Sequence, residues 1–447
     1  MAQRETFKTS FGLVAATVGS AVGLGNIWRF PYIVGEYGGA AFLLVYLLST
    51  ALIGFPVMLA EFLLGREAKK DAIGAFDQLA PGSRWHIAGV FGVLASFMIL
   101  SFYSVIAGWT LKYLMLALGN QFAGKDTAAL GAMYSQFIAN PLRPIFWQLI
   151  FMIGTGLVVR SGVEGGIEKV SKALIPVLVI LIILLNLRAV SLPGAGAGLS
   201  FLFKPDFSKL TGRGVLAALG QSFFSLSLGM GVMITYGSYI GKEENLNSVS
   251  FRTVAADTII ALLAGTAIFP MAFAFGIAPD SGPGLIFVTL PNVLPEMPGG
   301  YFFGIFFFAL VAVAALTSTI SLLEAVVAYC MEAFGWVRKK ATLVALSLAA
   351  ALGIISSLSQ GPLQGVTIFR QTIFDFLDYL TSNYLLTISA LLTSIFVGHK
   401  MDKAVVERQI ANGRANPGRY LKLFSFTIRY ITPALILAVF ISGILLD

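Results

Sequence analysis

The stretch Gly19-Ser-Ala-Val-Gly-Leu-Gly-Asn-Ile-Trp-Arg-Phe-Pro31 lies inside the first hydrophobic segment of the chain. A membrane helix does not tolerate three glycines, a buried amide at Asn26 and a cation at Arg29 unless other groups compensate for the polar atoms. Carbonyl groups freed by an unwound segment bind small cations, and the N-terminus of the helix that follows attracts an anion such as a carboxylate. Close packing through small residues is the alternative, but Asn26 and Arg29 argue against it. The stretch therefore predicts a broken helix that lines a cavity.

The composition places this broken helix in a membrane protein. Of the 447 residues, 57% are hydrophobic and 12% are charged, whereas about a quarter of the residues of a soluble protein are charged. Apolar runs of about twenty residues recur along the whole chain, without the alternating pattern of a β-barrel. We therefore predict an all-α polytopic membrane protein with one transmembrane domain over residues 1–447.

Two further features narrow the class. The first apolar run has a polar centre and no small-residue cleavage site after it, so we expect it to remain as a membrane helix. The single cysteine, Cys330, excludes an intrachain disulfide, and His86 and His399 are the two histidines. Chemistry at a transition-metal centre is therefore not indicated.

The net charge of +8 is spread unevenly along the chain. When the apolar runs are interpreted as eleven spans, most Lys and Arg residues lie in the N-terminus and the even-numbered links. The positive-inside rule makes those regions cytoplasmic. We therefore predict a cytoplasmic N-terminus, an extracellular C-terminus at Asp447 and no role in binding nucleic acid.

The predicted spans are numbered 1 to 11 here. They cover about 11–34, 40–64, 87–118, a short span 4 that ends near 159, span 5 from about 166, span 6 from about 214, then 253–277, 301–334, 341–358, 371–397 and 420–446. Between them we expect a polar loop over Gly119–Pro144, an outer loop over Leu192–Gly214 and a structured lid over Ala278–Gly300.

Span 6 carries a second interruption, Gly220-Gln-Ser-Phe-Phe-Ser-Leu-Ser-Leu-Gly-Met-Gly231. Spans 1 and 6 each open a block of five spans, over residues 10–190 and 214–398, and a final span covers 420–446. A broken helix at the start of each block is typical of inverted-repeat transporters, whose binding site lies where the two breaks meet. The pattern favours a transporter over a generic helix bundle.

Three other spans carry polar or helix-weakening residues. Thr317 and Ser318 in span 8 are candidate ligands for a hard cation, although such hydroxyls usually bond back to their own helix. Glu61 in span 2 must face the interior, and we expect it to accept hydrogen bonds from the unwound part of span 6. In span 5, Pro176 lacks a backbone donor and Gly166 lowers the cost of unwinding, so the inner half of this span is expected to open easily.

These motifs, with Ala21-Val-Gly-Leu-Gly-Asn-Ile-Trp-Arg-Phe-Pro31 followed by Glu36-Tyr-Gly-Gly-Ala-Ala-Phe42, resemble the neurotransmitter:sodium symporter family over nearly the whole chain. The resemblance implies the LeuT fold, a 5+5 inverted repeat plus one helix, in a bacterial inner membrane. The Gly229-Met-Gly231 break and the Gly166/Pro176 pair are most similar to eleven-helix bacterial members that carry hydrophobic amino acids. Most members have a twelfth helix, and the oligomeric state stays open.

The resemblance implies two sodium sites built from oxygen ligands. The first would use the Ala21 carbonyl, Asn26, Ser225, Asp257 and the carboxylate of the substrate. The second would use carbonyls and hydroxyls of span 1 and span 8: Gly19, Val22, Ala314, Thr317 and Ser318.

The resemblance also implies an amino-acid site between the two breaks. The substrate carboxylate would meet the amides of Leu24 and Gly25 and the hydroxyl of Tyr103, while its ammonium group would meet carbonyls of Ala21, Phe224 and Ser227. The side-chain pocket would consist of Ile99, Tyr103, Phe224, Met230 and Leu322, and Ser225 would also contact the substrate. Because none of these residues is charged, we expect a hydrophobic substrate. Ordinary core packing is the alternative for these apolar positions.

Two gates follow from the same resemblance. Arg29 and Asp378 would form the outer ion pair, under which Tyr103 and Phe224 close over the substrate. Arg4 and Glu332 would form the inner pair, with Phe7 and Tyr239 beside it. The family usually has aspartate and tryptophan where Glu332 and Phe7 stand, so we expect a weaker inner gate.

The sequence therefore favours a sodium-coupled symporter of hydrophobic amino acids. A sodium-independent facilitator or channel is the alternative, and no catalytic motif accompanies the buried carboxylates Asp257, Glu61 and Glu324 to indicate an enzyme. Relatives that use chloride hold it with residues matching Tyr46, Gln221, Ser225, an asparagine and a serine. Here Asp257 stands at the asparagine position and Ala261 at the serine position, so the carboxylate is expected to make chloride redundant.

Overall fold

Long apolar helices build the structure. The computed structural model describes residues 4–276, 286–411 and 418–446. Within these residues eight continuous helices are long and apolar enough to cross a membrane, and two bent helix pairs meet the same criterion. A count of eleven spans stays a prediction.

The helices and strands are listed here in chain order, with a short 3₁₀ turn at Phe207–Lys209. They are α1 (Ser10–Ala21), α2 (Gly25–Glu36), α3 (Ala40–Ala68), α4 (Ala72–Leu79), α5 (His86–Leu118), α6 (Thr127–Ala139), α7 (Arg143–Arg160), α8 (Val163–Val190), α9 (Ala195–Phe203), α10 (Gly212–Ser225), α11 (Val232–Ser238), α12 (Leu246–Ala274), α13 (Thr289–Glu296), α14 (Gly300–Phe334), α15 (Arg338–Leu358), the antiparallel strands β1 (Thr367–Ile368) and β2 (Gln371–Thr372), α16 (Ile373–Lys400), α17 (Lys403–Ala411) and α18 (418–446).

The predicted break in span 1 is confirmed. Helix α1 ends at Ala21, Val22 is extended, and α2 continues from Gly25 at an angle of 47° to α1. Thr9 caps the start of α1 by accepting a hydrogen bond from the Gly12 amide over 3.0 Å. The glycines and Asn26 therefore interrupt the helix where the sequence places them.

The predicted break in span 6 is also confirmed, between α10 and α11. Ser227, Gly229 and Gly231 have positive φ angles of 53°, 72° and 70°. A Cβ atom on Gly229 would collide with the backbone carbonyl of Leu386, so glycine is required there. Glu61 accepts a hydrogen bond from the Gly229 amide over 2.8 Å, which confirms the expected contact with the unwound backbone.

Three loop and boundary predictions need correction. The region predicted as a polar loop over Gly119–Pro144 contains α6, whose first turn is capped by Asp126 through the Ala129 amide at 2.8 Å. The outer loop contains α9. The lid over Ala278–Gly300 was expected to be structured and contains α13, while residues 278–285 of it lie outside the described residues. Helix α12 begins at Leu246 rather than near Thr253, because Asn245 caps it through the Ser248 amide at 3.1 Å.

Helices α5 and α14 are the most deeply buried of the eight long apolar helices, and α5 holds the break between α10 and α11 in place. Gly92 of α5 lies so close to the α10–α11 break that an added Cβ would be 2.9 Å from the Gly231 nitrogen. Ser96 of α5 donates a hydrogen bond to the Met230 carbonyl over 2.6 Å. The unwound backbone is thus fixed by a helix that also lines the cavity beside it.

Helix α8 is wound from Val163 through Pro176 to Val190 in this structure. Its first turn, Val163–Glu168, is a π-helix, and a Cβ atom on Gly166 would collide with the carbonyl oxygen of Val158. Gly166 is therefore also needed for close packing against α7. The open form expected for span 5 is not the conformation seen here.

Candidate functional site

Four polar side chains meet beside the break between α1 and α2. Asn26 donates to Oδ1 of Asp257 over 2.7 Å and to the Ser225 hydroxyl over 3.0 Å. The Ser225 hydroxyl lies 2.9 and 2.8 Å from the two carboxylate oxygens of Asp257. Tyr46 donates to Asp257 over 3.3 Å. We call Asn26, Ser225, Asp257 and Tyr46 the carboxylate cluster.

The carboxylate cluster is closed to solvent. Asp257 and Asn26 are fully buried, and Ser225 is 1% exposed. Among the ion pairs of the described residues, none involves Asp257. A buried carboxylate is costly unless hydrogen bonds or a cation compensate for its charge. Carboxylate, amide and hydroxyl oxygens together form the donor set that hard cations prefer.

The residues predicted for a second cation site lie where α1 meets α14. A Cβ atom on Gly19 would lie 3.1 Å from Cβ of Thr317, so the two helices are in direct contact. Thr317 donates to the Ala314 carbonyl over 3.0 Å, which is the back-bonded arrangement. Ser318 donates to the Ser20 carbonyl over 3.3 Å and so links α14 to α1. Val22 follows directly after α1, at the start of the break.

A small cavity lies between the two breaks. Its volume is about 20 Å³, which is room for about one water molecule. It is lined by Ser20, Ala21, Gly23, Gly25, Ile99, Tyr103, Phe224, Ser227, Met230, Ser318 and Leu322. An amino acid therefore requires this cavity to widen.

Most residues predicted for the substrate site are brought together at this cavity. Two predicted residues do not line it: Leu24, whose amide donates to the Tyr103 hydroxyl over 2.8 Å, and Ser225, which belongs to the carboxylate cluster. Ser20, Gly23 and Ser318 line the cavity but were not predicted as substrate contacts. Gly23 is the one with a signal in the sequence, because it stands in the glycine-rich break.

The predicted outer ion pair is not formed. No ion pair within the described residues joins Arg29 to Asp378. The guanidinium of Arg29 instead lies 4.6 Å from the ring centroid of Phe224, and Asp378 accepts from Ser382 over 3.0 Å. A cavity of about 520 Å³, lined in part by Arg29 and Tyr32, lies at this end of the bundle, which we call the outer end.

The predicted inner residues are brought together at the opposite end, which we call the inner end. Arg4 pairs with Glu332 and donates to the Ser238 hydroxyl through Nη2 over 2.7 Å. Its guanidinium also lies 4.8 Å from the ring centroid of Tyr239. Phe7 packs edge-on against the Tyr239 ring with centroids 6.1 Å apart.

A second inner network was not predicted. Tyr239 donates to the buried Glu324 over 2.5 Å, and Arg338 donates to Glu324 over 2.6 Å. Arg338 also reaches Glu5 over 3.1 Å. The depth of Glu324 in span 8 was a signal for a partner, but its distance from Arg338 depends on the turn between α14 and α15.

Asp71 lies beside the inner ion pair, in the link before α4. Its backbone amide donates to Glu332 over 2.9 Å, and its carboxylate caps α4 through the Ile73 amide over 2.9 Å. Burial, followed by the nearby negative charge of Glu332, raises the pKa of Asp71 to about 6. The inner end therefore contains one carboxyl group that takes up a proton under mildly acidic conditions.

Comparison with known proteins gives a consistent result. The chain matches the Sodium:neurotransmitter symporter family over residues 4–130 and 138–446. It is 42% identical to an uncharacterised sodium-dependent transporter of Bacillus subtilis, YhdH, over 97% of this chain and 96% of that protein. It is 38% identical to an uncharacterised sodium-dependent transporter of Haemophilus influenzae, over 99% of this chain and 98% of that one.

A solved structure is similar along the whole chain. The crystal structure of MhsT in complex with L-phenylalanine matches with a TM-score of 0.93 and 46% identity, and the match covers 99% of this chain and 100% of that one. The LeuT-type arrangement predicted from the two broken helices is thereby confirmed.

Proposed function

Because the chain belongs to the sodium:neurotransmitter symporter family and is thus a sodium-coupled symporter rather than an enzyme, we propose that it transports hydrophobic L-amino acids without chloride. The observation that carries this proposal is the uncharged cavity directly beside the carboxylate cluster. An amino acid there places its carboxylate next to a sodium ion, while its side chain meets only uncharged groups. The similarity to MhsT, solved with L-phenylalanine, supports the same substrate class.

The first sodium ion would bind at the carboxylate cluster. Its ligands would be the Ala21 carbonyl and oxygens of Asn26, Ser225 and Asp257, completed by the substrate carboxylate. The hydrogen bonds among Asn26, Ser225 and Asp257 support this assignment, because they already bring the three side chains within contact of one another. Ion and substrate then stabilise each other, which couples their binding.

The second sodium ion would bind between α1 and α14. Its ligands would be carbonyls of Gly19, Val22 and Ala314 and the hydroxyls of Thr317 and Ser318. The close contact of Gly19 with Thr317 supports this assignment, because an ion there would link the moving broken helix to α14. The cluster contains no carboxylate, so its affinity depends on neutral oxygen ligands alone.

The substrate would lie across the two breaks. Its carboxylate would meet the Leu24 and Gly25 amides and the Tyr103 hydroxyl, and its ammonium group the carbonyls of Ala21, Phe224 and Ser227. The hydrogen bond from the Leu24 amide to the Tyr103 hydroxyl supports the carboxylate position, because it holds these two groups next to each other. A charged substrate side chain would be buried without a partner among Ile99, Met230 and Leu322, and would be rejected.

Met230 bears on the range of substrates. Its unbranched thioether side chain lines the cavity between two glycines of positive φ and adapts to ligands of different shape. We therefore expect aliphatic and aromatic amino acids, tryptophan included, to compete for uptake. Strict confinement to leucine or alanine would contradict this expectation.

Purified protein in proteoliposomes tests the function. An inward sodium gradient should drive accumulation of labelled phenylalanine, and an equimolar potassium gradient should not. Competition with leucine, isoleucine, tryptophan, lysine and glutamate should show inhibition by the first three alone. A passive facilitator would instead let phenylalanine equilibrate across the membrane without sodium, and a sodium gradient would not drive its accumulation.

A further inference from the structure

Two carboxylates link the residues before α1 to the start of α8. Each segment supplies one carboxylate, which accepts a hydrogen bond from the other segment. Glu5, from the N-terminal side, accepts a hydrogen bond from the Val163 amide over 2.7 Å and so caps the first turn of α8. Glu168, from α8, accepts a hydrogen bond from the Lys8 amide over 2.8 Å. We call Glu5–Thr9 the N-terminal segment.

Glu168 is the more deeply buried of the two, with 2% of its side chain exposed. Its second oxygen accepts from the Thr9 hydroxyl over 2.7 Å and pairs with Lys172 over 2.6 Å. A Cβ atom on Gly12 would collide with this carboxylate, so the first turn of α1 has room for it only because residue 12 is glycine. The pocket around Glu168 is thus built jointly by α1, α8 and the N-terminal segment.

These contacts make the two segments depend on each other. Departure of the N-terminal segment removes two of the donors to Glu168 and leaves the Val163 amide without its cap. Unwinding of the first turn of α8 removes Glu168 from Lys8 and Thr9 in the same way. Hydrogen bonds to a buried charge are worth more than neutral ones, so breaking either side alone is costly.

The contacts to α8 are separate from the inner ion pair. Arg4 binds Glu332 of α14 and Ser238 of α11, and neither partner belongs to α8. The ion pair therefore closes the inner end without contacting the helix that is expected to unwind. The contact between the N-terminal segment and α8 goes through Glu5, Lys8 and Thr9 instead.

We propose that Glu168 is a positioning residue that couples release of the N-terminal segment to unwinding of the first turns of α8. Water from the inner end then reaches the proposed second sodium site between α1 and α14 only after the inner end has opened. This inference rests on the proposed function in one respect, namely that sodium leaves at the inner end. The coupling itself is a property of the chain and is measurable without transport.

Glu164 provides a matched control in the same turn. It is 54% exposed and pairs with the Lys8 side chain, which is 65% exposed. Removal of its charge changes a solvated ion pair of small energy. Glu164→Gln and Glu168→Gln therefore alter the same turn by the same chemical change, and differ in burial and in the donors that are lost.

Hydrogen–deuterium exchange of the full-length protein in lipid nanodiscs tests the coupling. In Glu168→Gln, amides of residues 163–172 and of residues 8–12 should both exchange about tenfold faster, since about 1.5 kcal/mol or more of charge-assisted hydrogen bonding is lost. In Glu164→Gln both segments should stay within about twofold of the native rate. Faster exchange in one segment alone, or in neither, would overturn the proposal.

A second variant separates coupling from a general loss of stability. Glu5→Gln weakens the cap on α8 from the other side and also the contact of Glu5 with Arg338 at the start of α15. It should therefore accelerate exchange in the same two segments and at the start of α15, but not in α5. Combined with Glu168→Gln it should add little, because the two changes break one cooperative contact. Additive effects, or acceleration throughout the bundle, would contradict it. Absence of sodium-driven uptake with intact coupling would refute the proposed function alone.

Discussion

The outer and inner ends of the bundle differ in how their charged residues are used. At the inner end Arg4 binds Glu332, and Arg338 binds Glu324. At the outer end Arg29 makes no ion pair with Asp378 and lies beside a cavity of about 520 Å³. The structure is thus held closed at one end by two networks and is less restrained at the other.

This difference suggests that the two ends of the bundle close at different stages of transport. The inner networks join Arg4 and Glu5, which precede α1, to α11, α14 and α15. These contacts stabilise the closed inner end without a substrate. At the outer end, Arg29 and Asp378 have opposite charges but form no ion pair in this structure. We therefore expect them to pair when the outer end closes over the substrate. We therefore expect the inner residues to keep the inner end closed in the absence of substrate, and the outer residues to pair only when substrate binds.

Among changes at the two ends of the bundle, the largest effect is expected for Glu332→Gln. Loss of this charge weakens the contact with Arg4 and should cost the closed inner end about 2 kcal/mol, or about thirtyfold in its population. Cys330, the single cysteine of the chain, is 9% exposed in the same helix and reports the opening directly. Its rate of alkylation by a maleimide should rise by about that factor.

Asp378→Asn is the matched change at the outer end. Because Asp378 is not paired with Arg29 in this structure, alkylation of Cys330 should be unchanged. The maximal uptake rate should fall by about fivefold, since a partly exposed pair contributes about 1 kcal/mol at most to closure. Asp375→Asn, an exposed acid one turn earlier, should behave as native. Faster alkylation of Cys330 in Asp378→Asn would contradict the claim that the outer residues do not control closure of the inner end.

Internal pH should act on the inner end through Asp71. Its pKa of about 6 in the closed form lies above the ordinary value of 3.8, so protonation stabilises the closed form, and this stabilisation is lost as the pH rises through 6. A change of internal pH from about 7.5 to about 5.5 should slow uptake about fourfold at constant external pH. Asp71→Asn should remove this dependence. An equal dependence in the variant would place the titrating group elsewhere.

The smallest effect is expected for Pro176→Ala. Alanine restores a backbone donor and favours the wound form of α8. The maximal rate should fall about threefold with little change in substrate affinity. Unchanged turnover in reconstituted vesicles would show that unwinding of α8 does not limit release.

The parts of this arrangement that were predictable from sequence are those with a local cause. Gly19–Pro31 and Gly220–Gly231 carry their interruptions in their own residues. Helix α6 was predictable in principle, since Asp126 caps it and Leu130 and Phe137 lie on one face at a spacing of seven. The polar residues around it concealed that signal.

Other features depend on residues far apart in the chain. Glu168 meets Lys8 and Thr9 across about 160 positions. Arg4 meets Glu332 across 328 positions, and that pair was predicted only through the family resemblance. No periodicity or spacing indicates such contacts, because they follow from how α1, α8 and α14 pack. The predicted pair of Arg29 and Asp378 is absent for a related reason. The sequence shows which charged residues are present, but which of them are in contact depends on the conformation.

The central claim is that the Asp257 carboxylate supplies the negative charge beside sodium, and one uptake experiment tests it most directly. Chloride is replaced by gluconate at constant sodium, for the native protein and for Asp257→Asn. We expect native uptake to be unchanged, because a second anion beside a fixed carboxylate is unfavourable by several kcal/mol, about 4 at an effective dielectric constant near 20. The variant should bind sodium about 100-fold more weakly or gain stimulation by chloride. Strong chloride dependence of the native protein would contradict the account.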